Sequence, residues 1–387
     1  MNGAFLQDEI KRLVSLIEEK IDSPKNRLRQ VLWDKNGFPH PDAEKIPITV
    51  SPEIQMWSKL HNISLIDFYQ IPELYVYGQL KAKVFAFDNF NDDRPIDRVI
   101  WMWLGTPFEG SLLGIPFDFF INFEPDDGGV IIYSSCIEAV EKIKQPNFFT
   151  SGMMPLAHRM YEGCKTLLPG DYNIIFPDYI QTPLATATHL VGTELFLMEA
   201  IDNSEAARQL LARLLEIRVQ FRKDRANFLG IGLERGIYDN DHVSTPMISP
   251  GLYRDLIWPV ENELAVREGG IAYWHSCGNT TAMLDRIKKL PGLGLLHISA
   301  WTDRCKAAEI LDRNLPLQVC VHSLKEVLCA TDSQIKASLA DIIKNLGHHR
   351  IKIDADCFQT FMEMSEQVRR IRHWTDLAQK MTGEENE

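Results

Sequence analysis

The residues of this sequence best suited to hold a metal ion are one histidine and two cysteines. His275 and Cys277 stand two positions apart in the run WHSCGN, and Cys357 follows 80 positions later, since 357 minus 277 is 80. Zinc prefers imidazole nitrogen and thiolate sulfur, and three protein ligands with one open position are typical of catalytic zinc. A packed cysteine beside a hydrogen-bonded histidine would explain His275 and Cys277 equally well, but Cys357 favours a metal site.

Short apolar runs precede these residues and predict the elements that position them. Over roughly the last 120 residues, each run is followed by a helical segment, which indicates parallel strands with right-handed crossovers. We predict an α/β fold of the (β/α)8 TIM-barrel type, in which residues just after different strands face one shared mouth. An open doubly wound sheet is the alternative, but the glycines of 230–236 lack the spacing of a phosphate-binding loop. The predicted strands are 271–274, 295–299, 317–321 and 351–353.

The first 90 residues show helical patterns and predict an N-terminal helical extension packed on the barrel domain of residues 91–387. The opening apolar stripe consists of Phe5, Ile10, Leu13 and Ile17. We expect residues 106–145, which are rich in loops, to shape the mouth of the barrel. Further predicted elements are strands at 99–104 and 172–176, helices at 186–198 and 203–228, and a helix that Ser249 and Pro250 begin.

These motifs resemble those of the uroporphyrinogen decarboxylase superfamily, and within it the zinc-dependent, corrinoid-linked methyltransferases. Their hallmark is a His-x-Cys-Gly motif followed by a lone cysteine, which His275, Cys277 and Cys357 match. The segments 183–187, 192–194 and 248–253 stand in the order of the superfamily's equivalent segments. The resemblance covers residues 172–381 well and the earlier residues poorly.

The resemblance implies that zinc assists methyl transfer between a small thiol or methylated compound and a corrinoid carried by a separate protein. Two departures disfavour a porphyrinogen decarboxylase. Residues 99–107 contain no arginine to bind substrate carboxylates, and Val321, His322 and Ser323 stand where that enzyme has Asn-Leu-Asp. A cofactor-independent decarboxylase with another substrate, and a non-catalytic zinc-stabilised binding protein, remain alternatives.

Further polar side chains lie near the predicted strand ends. We assign Asp241 and His322 as catalytic candidates. Each could instead be a turn residue, a helix cap or a hydrogen-bonded histidine at the edge of the core. The candidates for contact with substrate, or for support of the metal ligands, are Asp178, Asp239, His297 and Asp356.

Composition excludes several classes of protein. The formal charge of −12 comes without clusters of Lys and Arg, which argues against a nucleic-acid partner. The apolar runs are far shorter than the roughly 18 residues of a membrane span, and the N-terminus lacks a signal-peptide pattern. Seven scattered cysteines indicate reduced thiols. We therefore expect a cytoplasmic protein without membrane contact. The composition does not decide whether it forms a homodimer.

Overall fold

The structure is a computed structural model that describes residues 3–383, so both outer limits of the predicted domains lie outside the described residues. It has an α/β architecture, as predicted. Eight strands lie within the described residues. They are β1 (Ile48–Pro52), β2 (Val99–Trp101), β3 (Asn173–Ile175), β4 (Gly236–Asp239), β5 (Ile271–His275), β6 (Leu293–Ile298), β7 (Leu317–Val321) and β8 (Ile351–Phe358).

Helices follow most of the strands, as the alternating sequence pattern predicts. In chain order they are α1 (Gly3–Ile21), α2 (Pro24–Gln30), α3 (Ile54–His61), α4 (Leu65–Gln70), α5 (Pro72–Asn89), α6 (Phe108–Leu112), α7 (Cys136–Lys142), α8 (Met154–Leu167), α9 (Pro183–Val191), α10 (Thr193–Asp202), α11 (Ser204–Leu229), α12 (Pro250–Leu252), α13 (Trp258–Arg267), α14 (Leu284–Ile287), α15 (Arg304–Ile310), α16 (Asp332–Leu346) and α17 (Met364–Gly383). None of the helices in this described part of the chain has the length and hydropathy that crossing a bilayer requires.

The strands form two parallel sheets. Six strands lie in the order β1-β8-β7-β6-β5-β4, and β2 pairs with β3. The first strand of the chain therefore lies beside the last, as it does when a parallel sheet curls toward a barrel. The four predicted strands of the last 120 residues are confirmed as β5 to β8. Closure of all eight strands into one barrel stays a prediction, because the described residues of β1 and β2 do not pair.

A buried arginine joins the two sheets between β3 and β4. No residue of β3 pairs with β4 in the described chain, and an isolated parallel bridge joins Gln181, after β3, to Asp239 of β4. Arg218 of α11 donates to the backbone carbonyls of Gln181 and Ile237, at 2.9 Å each. Its charge is compensated by Glu268, with 3.0 Å between Nε and Oε1, and both side chains are fully buried. Arg218 thus supplies hydrogen bonds where strand pairing is sparse.

The first 90 residues are not helical throughout. β1 pairs in parallel with β8, from Ile48 beside Ile353 onward, so this segment contributes a strand to the main sheet. The boundary near residue 90 itself stays a prediction. Phe5, which we predicted in the buried stripe of α1, is exposed instead. The buried face of α1 consists of Leu6, Ile10, Leu13 and Ile17, whose spacing of four, three and four residues follows one side of a helix.

The predicted helix start at Ser249 is confirmed. Its hydroxyl accepts a hydrogen bond from the backbone N–H of Leu252 at 3.1 Å, and Pro250 is the first helical residue. The helix is not uniform, however. A π-helical turn over Tyr253–Ile257 separates α12 from α13.

We predict that Arg218→Met destabilises the protein by about 3–5 kcal/mol, because Glu268 would lose a main partner while remaining buried. Urea unfolding followed by circular dichroism measures this loss. Arg267→Met is the matched control, since Arg267 pairs with the half-exposed Glu216 at the surface and should cost about 1 kcal/mol or less. Equal losses in the two variants would contradict a special role for Arg218.

Candidate metal centre

The carboxyl ends of the strands bring the predicted metal ligands to one edge of the sheet. His275 is the last residue of β5, and Asp239 is the last residue of β4. Cys357 is the penultimate residue of β8. Because β4, β5 and β8 are parallel strands of one sheet, residues 80 positions apart in sequence become neighbours here.

His275, Cys277 and Asp241 form the first cluster at this edge. The Nε2 atom of His275 lies 3.2 Å from the Cys277 sulfur and 3.3 Å from Oδ1 of Asp241. The same Asp241 oxygen accepts the backbone N–H of Cys277 at 2.8 Å. The nitrogen, sulfur and oxygen atoms all lie within 4.8 Å of one another, close enough for one ion to contact all three after small movements. Asp241, assigned from the sequence as catalytic, therefore lies among the candidate metal ligands.

Cys357 lies in an adjoining cluster with Glu53 and Asp356, whose ligand atoms are also within 4.8 Å of one another. The thiols of Cys277 and Cys357 interact with each other and connect the two clusters. Cys357 has a φ of +61°, in the left-handed region that non-glycine residues seldom adopt. Its N–H donates to Oδ1 of Asp356 at 2.7 Å. Held backbone strain of this kind is found most often where a side chain must be positioned for function.

His275 and Asp241 favour each other's charged forms. Burial opposes ionisation of Asp241, but its hydrogen bond to His275 lowers the pKa of this carboxyl. Burial likewise disfavours imidazolium, yet Asp241 raises the pKa of His275. The interaction with Cys357, then burial and the charge of Asp241, raises the pKa of Cys277. Without a bound metal ion, these effects disfavour the thiolate form of Cys277.

Other acidic groups add to this crowding of negative charge. Burial, followed by the charge of Asp241, raises the pKa of Asp239 to about 6. Burial and Asp354 raise the pKa of Asp356 to about 6, and burial and Asp356 raise the pKa of Glu53 to about 7. A divalent cation would stabilise the charged forms of these groups. The donor set of imidazole, two thiols and carboxylates fits zinc.

His297 is buried just below the first cluster. Its ring centroid lies 4.3 Å from that of His275. Its Nδ1 is 2.8 Å from the carbonyl oxygen of Ser276, and its Nε2 is 3.0 Å from the sulfur of Cys320. Burial, followed by the charge of His275, lowers the pKa of His297 to about 3, so the ring is neutral at neutral pH. His297 thus packs directly against the ring of a predicted ligand.

Two other predicted residues have different surroundings. His322 begins the π-helical turn after β7, and its Nδ1 accepts the N–H of Leu324 at 3.3 Å. Its ring also lines a cavity of about 150 Å³ together with Cys277 and Cys357. Asp178, in contrast, forms buried ion pairs with Arg222 at 3.0 Å and Arg225 at 3.9 Å. These pairs give Asp178 a structural explanation, and a contact with substrate stays a prediction for it.

The sequence interpretation missed two residues of this edge. Glu53 was missed because residues 1–90 showed helical patterns, whereas it directly follows β1. Cys320 of β7 was treated as packing, although it lines the same cavity as His322. Together with His297 and Asp356 it forms a third group of closely spaced ligand atoms.

Comparison with known proteins establishes the fold but not the family. The sequence matches no protein-family model and no curated protein. Among solved structures, the chain is similar to a methyltransferase from Methanosarcina mazei, with a TM-score of 0.64 and 15% sequence identity. The similarity covers 88% of this chain and 95% of that one. The two proteins thus share a fold over nearly their whole lengths, and the resemblance to the decarboxylase superfamily stays a prediction.

We predict about one zinc ion per chain and a strong loss of zinc from the variants Cys277→Ser and Cys357→Ser. Zinc affinity should fall by more than about 100-fold, since losing a residue that only supports a ligand already costs about 10- to 100-fold. Elemental analysis after dialysis against a competing chelator measures the effect. Cys305→Ser is the control, because that exposed thiol of α15 donates to Oδ1 of Asn345 at 3.3 Å and belongs to none of these clusters. Full zinc content in the Cys277 and Cys357 variants would exclude the site.

Removal of the metal should leave the fold largely intact. The candidate ligands lie at the ends of strands, while a large apolar core packs between the sheet and the helices. We expect the far-ultraviolet circular dichroism spectrum to be unchanged after chelation, with a small decrease in the melting temperature. Unfolding on chelation would instead assign the ion a structural role.

Proposed function

We propose that the protein is a zinc-dependent methyltransferase, which moves a methyl group between a small compound and a corrinoid on a separate protein. The observation that carries this proposal is the meeting of His275, Cys277 and Asp241, beside Cys357, at the carboxyl edge of the sheet. The fold shared with a methyltransferase from Methanosarcina mazei supports it. A site with cysteine and histidine ligands at a strand edge open to solvent suits a reactive rather than a purely structural ion.

Bound zinc would supply a Lewis acid, which lowers the pKa of a thiol or makes the heteroatom of a methylated compound a better leaving group. The chain's own residues prepare this chemistry. Tyr273 places its hydroxyl 3.0 Å from Nδ1 of His275, which leaves Nε2 directed at Cys277. Asp241 holds His275 in place through the imidazole ring and Cys277 through its backbone N–H.

The cavity beside the metal ligands accommodates a small substrate. Its volume of about 150 Å³ suits a compound of a few heavy atoms, and it is lined by His322, Trp301 and Ser299. The rings of Trp301 and His322 lie 5.2 Å apart in an edge-to-face arrangement. Trp301 is half-exposed at the entrance, so a partner that covers it would also exclude water from the cavity. His322 is the residue placed to exchange a proton with a bound heteroatom.

The zinc-loaded protein should transfer methyl groups to or from cobalamin. Reduced free cobalamin with methylated thiols, and methylcobalamin with thiols, serve as probes, and the absorption spectrum of the cobalamin reports transfer. Cys277→Ser should abolish the reaction, and His322→Gln should lower its rate by about 100-fold and alter its pH profile. Cys305→Ser should react normally. Decarboxylation by a zinc-loaded protein that never transfers methyl groups would contradict the proposal and favour a decarboxylase.

A further inference from the structure

The gap between β1 and β2 is formed by specific side chains rather than by loss of order. On the β1 side, the N–H groups of Ile48 and Val50 donate to the carboxylates of Asp93 and Asp92, at 2.9 and 3.3 Å. The backbone N–H of Asp93 also donates to the carbonyl oxygen of Ile48 at 2.7 Å. The edge of β1 that would face β2 is thus satisfied without a neighbouring strand.

On the β2 side, the hydroxyl of Tyr75 forms the hydrogen bonds that a neighbouring strand would form. It accepts the backbone N–H of Trp103 at 2.9 Å and lies 3.1 Å from the carbonyl oxygen of Trp101, to which it donates. Tyr75 is fully buried. Both strand edges are therefore closed by side chains, and the space between them is kept open.

Aromatic side chains line the cavity that occupies this gap. Its volume is about 270 Å³, which is enough for a six-membered ring with a small substituent. The rings of Trp101 and Trp103 lie on one side, 6.0 Å apart, and Trp101 is 46% exposed at the entrance. Trp57 and His61 are stacked with their centroids 5.7 Å apart. Flat surfaces of this kind favour a planar apolar guest.

Two polar groups of the cavity lack a full set of partners. Among the described residues, Arg94 forms no ion pair, and its Nη2 donates to the hydroxyl of Ser51 at 2.7 Å. Nε2 of His61 is buried without a hydrogen-bond partner within the described chain. Burial, followed by the charge of Lys81, lowers the pKa of His61 to about 4, so the ring is neutral. The exposed guanidinium of Arg94, which lines the cavity and has no direct ion pair in the described chain, favours an anion that accepts its hydrogen bonds.

The neighbouring carboxylates lie near Arg94 without pairing with it directly. Its charge acts against burial in favouring the ionised forms of Asp92 and Asp354, but each neighbouring carboxylate has a direct partner of its own. Asp92 lies 3.6 Å from Arg29, and Asp97 lies 2.5 Å from Lys83. Asp354 accepts a hydrogen bond from Gln318 at 2.8 Å. A carboxylate on the guest would supply the direct ion pair that Arg94 lacks among the described residues.

We propose that this cavity is a binding site for an aromatic carboxylate, whose ring lies among the tryptophans and whose carboxylate pairs with Arg94. The site adjoins the metal centre, because Pro52 lines the cavity and the next residue, Glu53, belongs to the cluster with Cys357. Binding depends on the cavity alone and holds whichever reaction the metal centre performs.

Isothermal calorimetry on the full chain tests this site with benzoate as the probe. Benzamide lacks the charge, cyclohexanecarboxylate lacks the flat ring, and tetramethylammonium tests whether the aromatic residues bind a cation instead. Benzoate should bind best. Arg94→Gln should weaken benzoate by about tenfold or more, the effect of losing a charge-assisted hydrogen bond, and Trp101→Ala should weaken it similarly. Arg369→Gln is the control, since Arg369 pairs with Glu366 on the exposed face of α17.

The same measurement on Cys277→Ser separates this site from the proposed function. Benzoate should bind that variant normally, even though the variant should lose its zinc. Absence of benzoate binding, equal binding of benzamide, preference for tetramethylammonium, or unchanged affinity in Arg94→Gln would each overturn the proposal. Failure of methyl transfer with benzoate binding intact would instead overturn only the proposed function.

Discussion

Repulsion between acidic groups at the carboxyl edge of the sheet is the constraint on which the candidate site depends. Asp239, Asp241, Asp356 and Glu53 gather there beside two thiols, and Asp241 favours the protonated form of His275 within the first cluster. Some of these groups must hold protons unless a positive ion joins them. The same crowding therefore disfavours thiolate at Cys277 without metal and would favour tight binding of a divalent cation. Strain at Cys357 is consistent with a side chain that is held in place for this purpose.

Strand pairing is interrupted at two places, and different side chains satisfy the strand edges at each. Between β3 and β4, the guanidinium of Arg218 binds carbonyls of β4 and of the segment that follows β3, and Glu268 neutralises it inside the protein. Between β1 and β2, Tyr75 and the pair Asp92 and Asp93 satisfy the strand edges separately. The first arrangement holds two strands together, whereas the second leaves space for a cavity. In both places polar side chains form the backbone hydrogen bonds that a neighbouring strand would otherwise form, because a buried N–H or carbonyl without a partner is costly.

The strands and helices of the later part of the chain could be predicted because their sequence patterns are local. Apolar runs followed by helical segments predicted β5 to β7 to within two residues and the start of β8, which extends five residues further than predicted. Ser249 with Pro250 marked a helix start that the structure has. β1 was not predicted, because a five-residue strand among helices carries little periodic signal and is defined by its pairing with β8. The gap beside β1 was unpredictable for the same reason. It arises from contacts such as Tyr75 with Trp103, which are 28 positions apart.

For the site, the sequence by itself determined the types of ligand and their placement after strands. His275, Cys277 and Cys357 could be singled out because metal ligands are few in kind and follow apolar runs that end at a common edge. Only the tertiary structure decided which residues surround them. It placed Asp241 within reach of His275, brought Glu53 to Cys357 from the start of the chain, and tied Asp178 to arginines of α11. The physical reason is that strand order and side-chain direction, rather than separation along the chain, set which charged groups share a site.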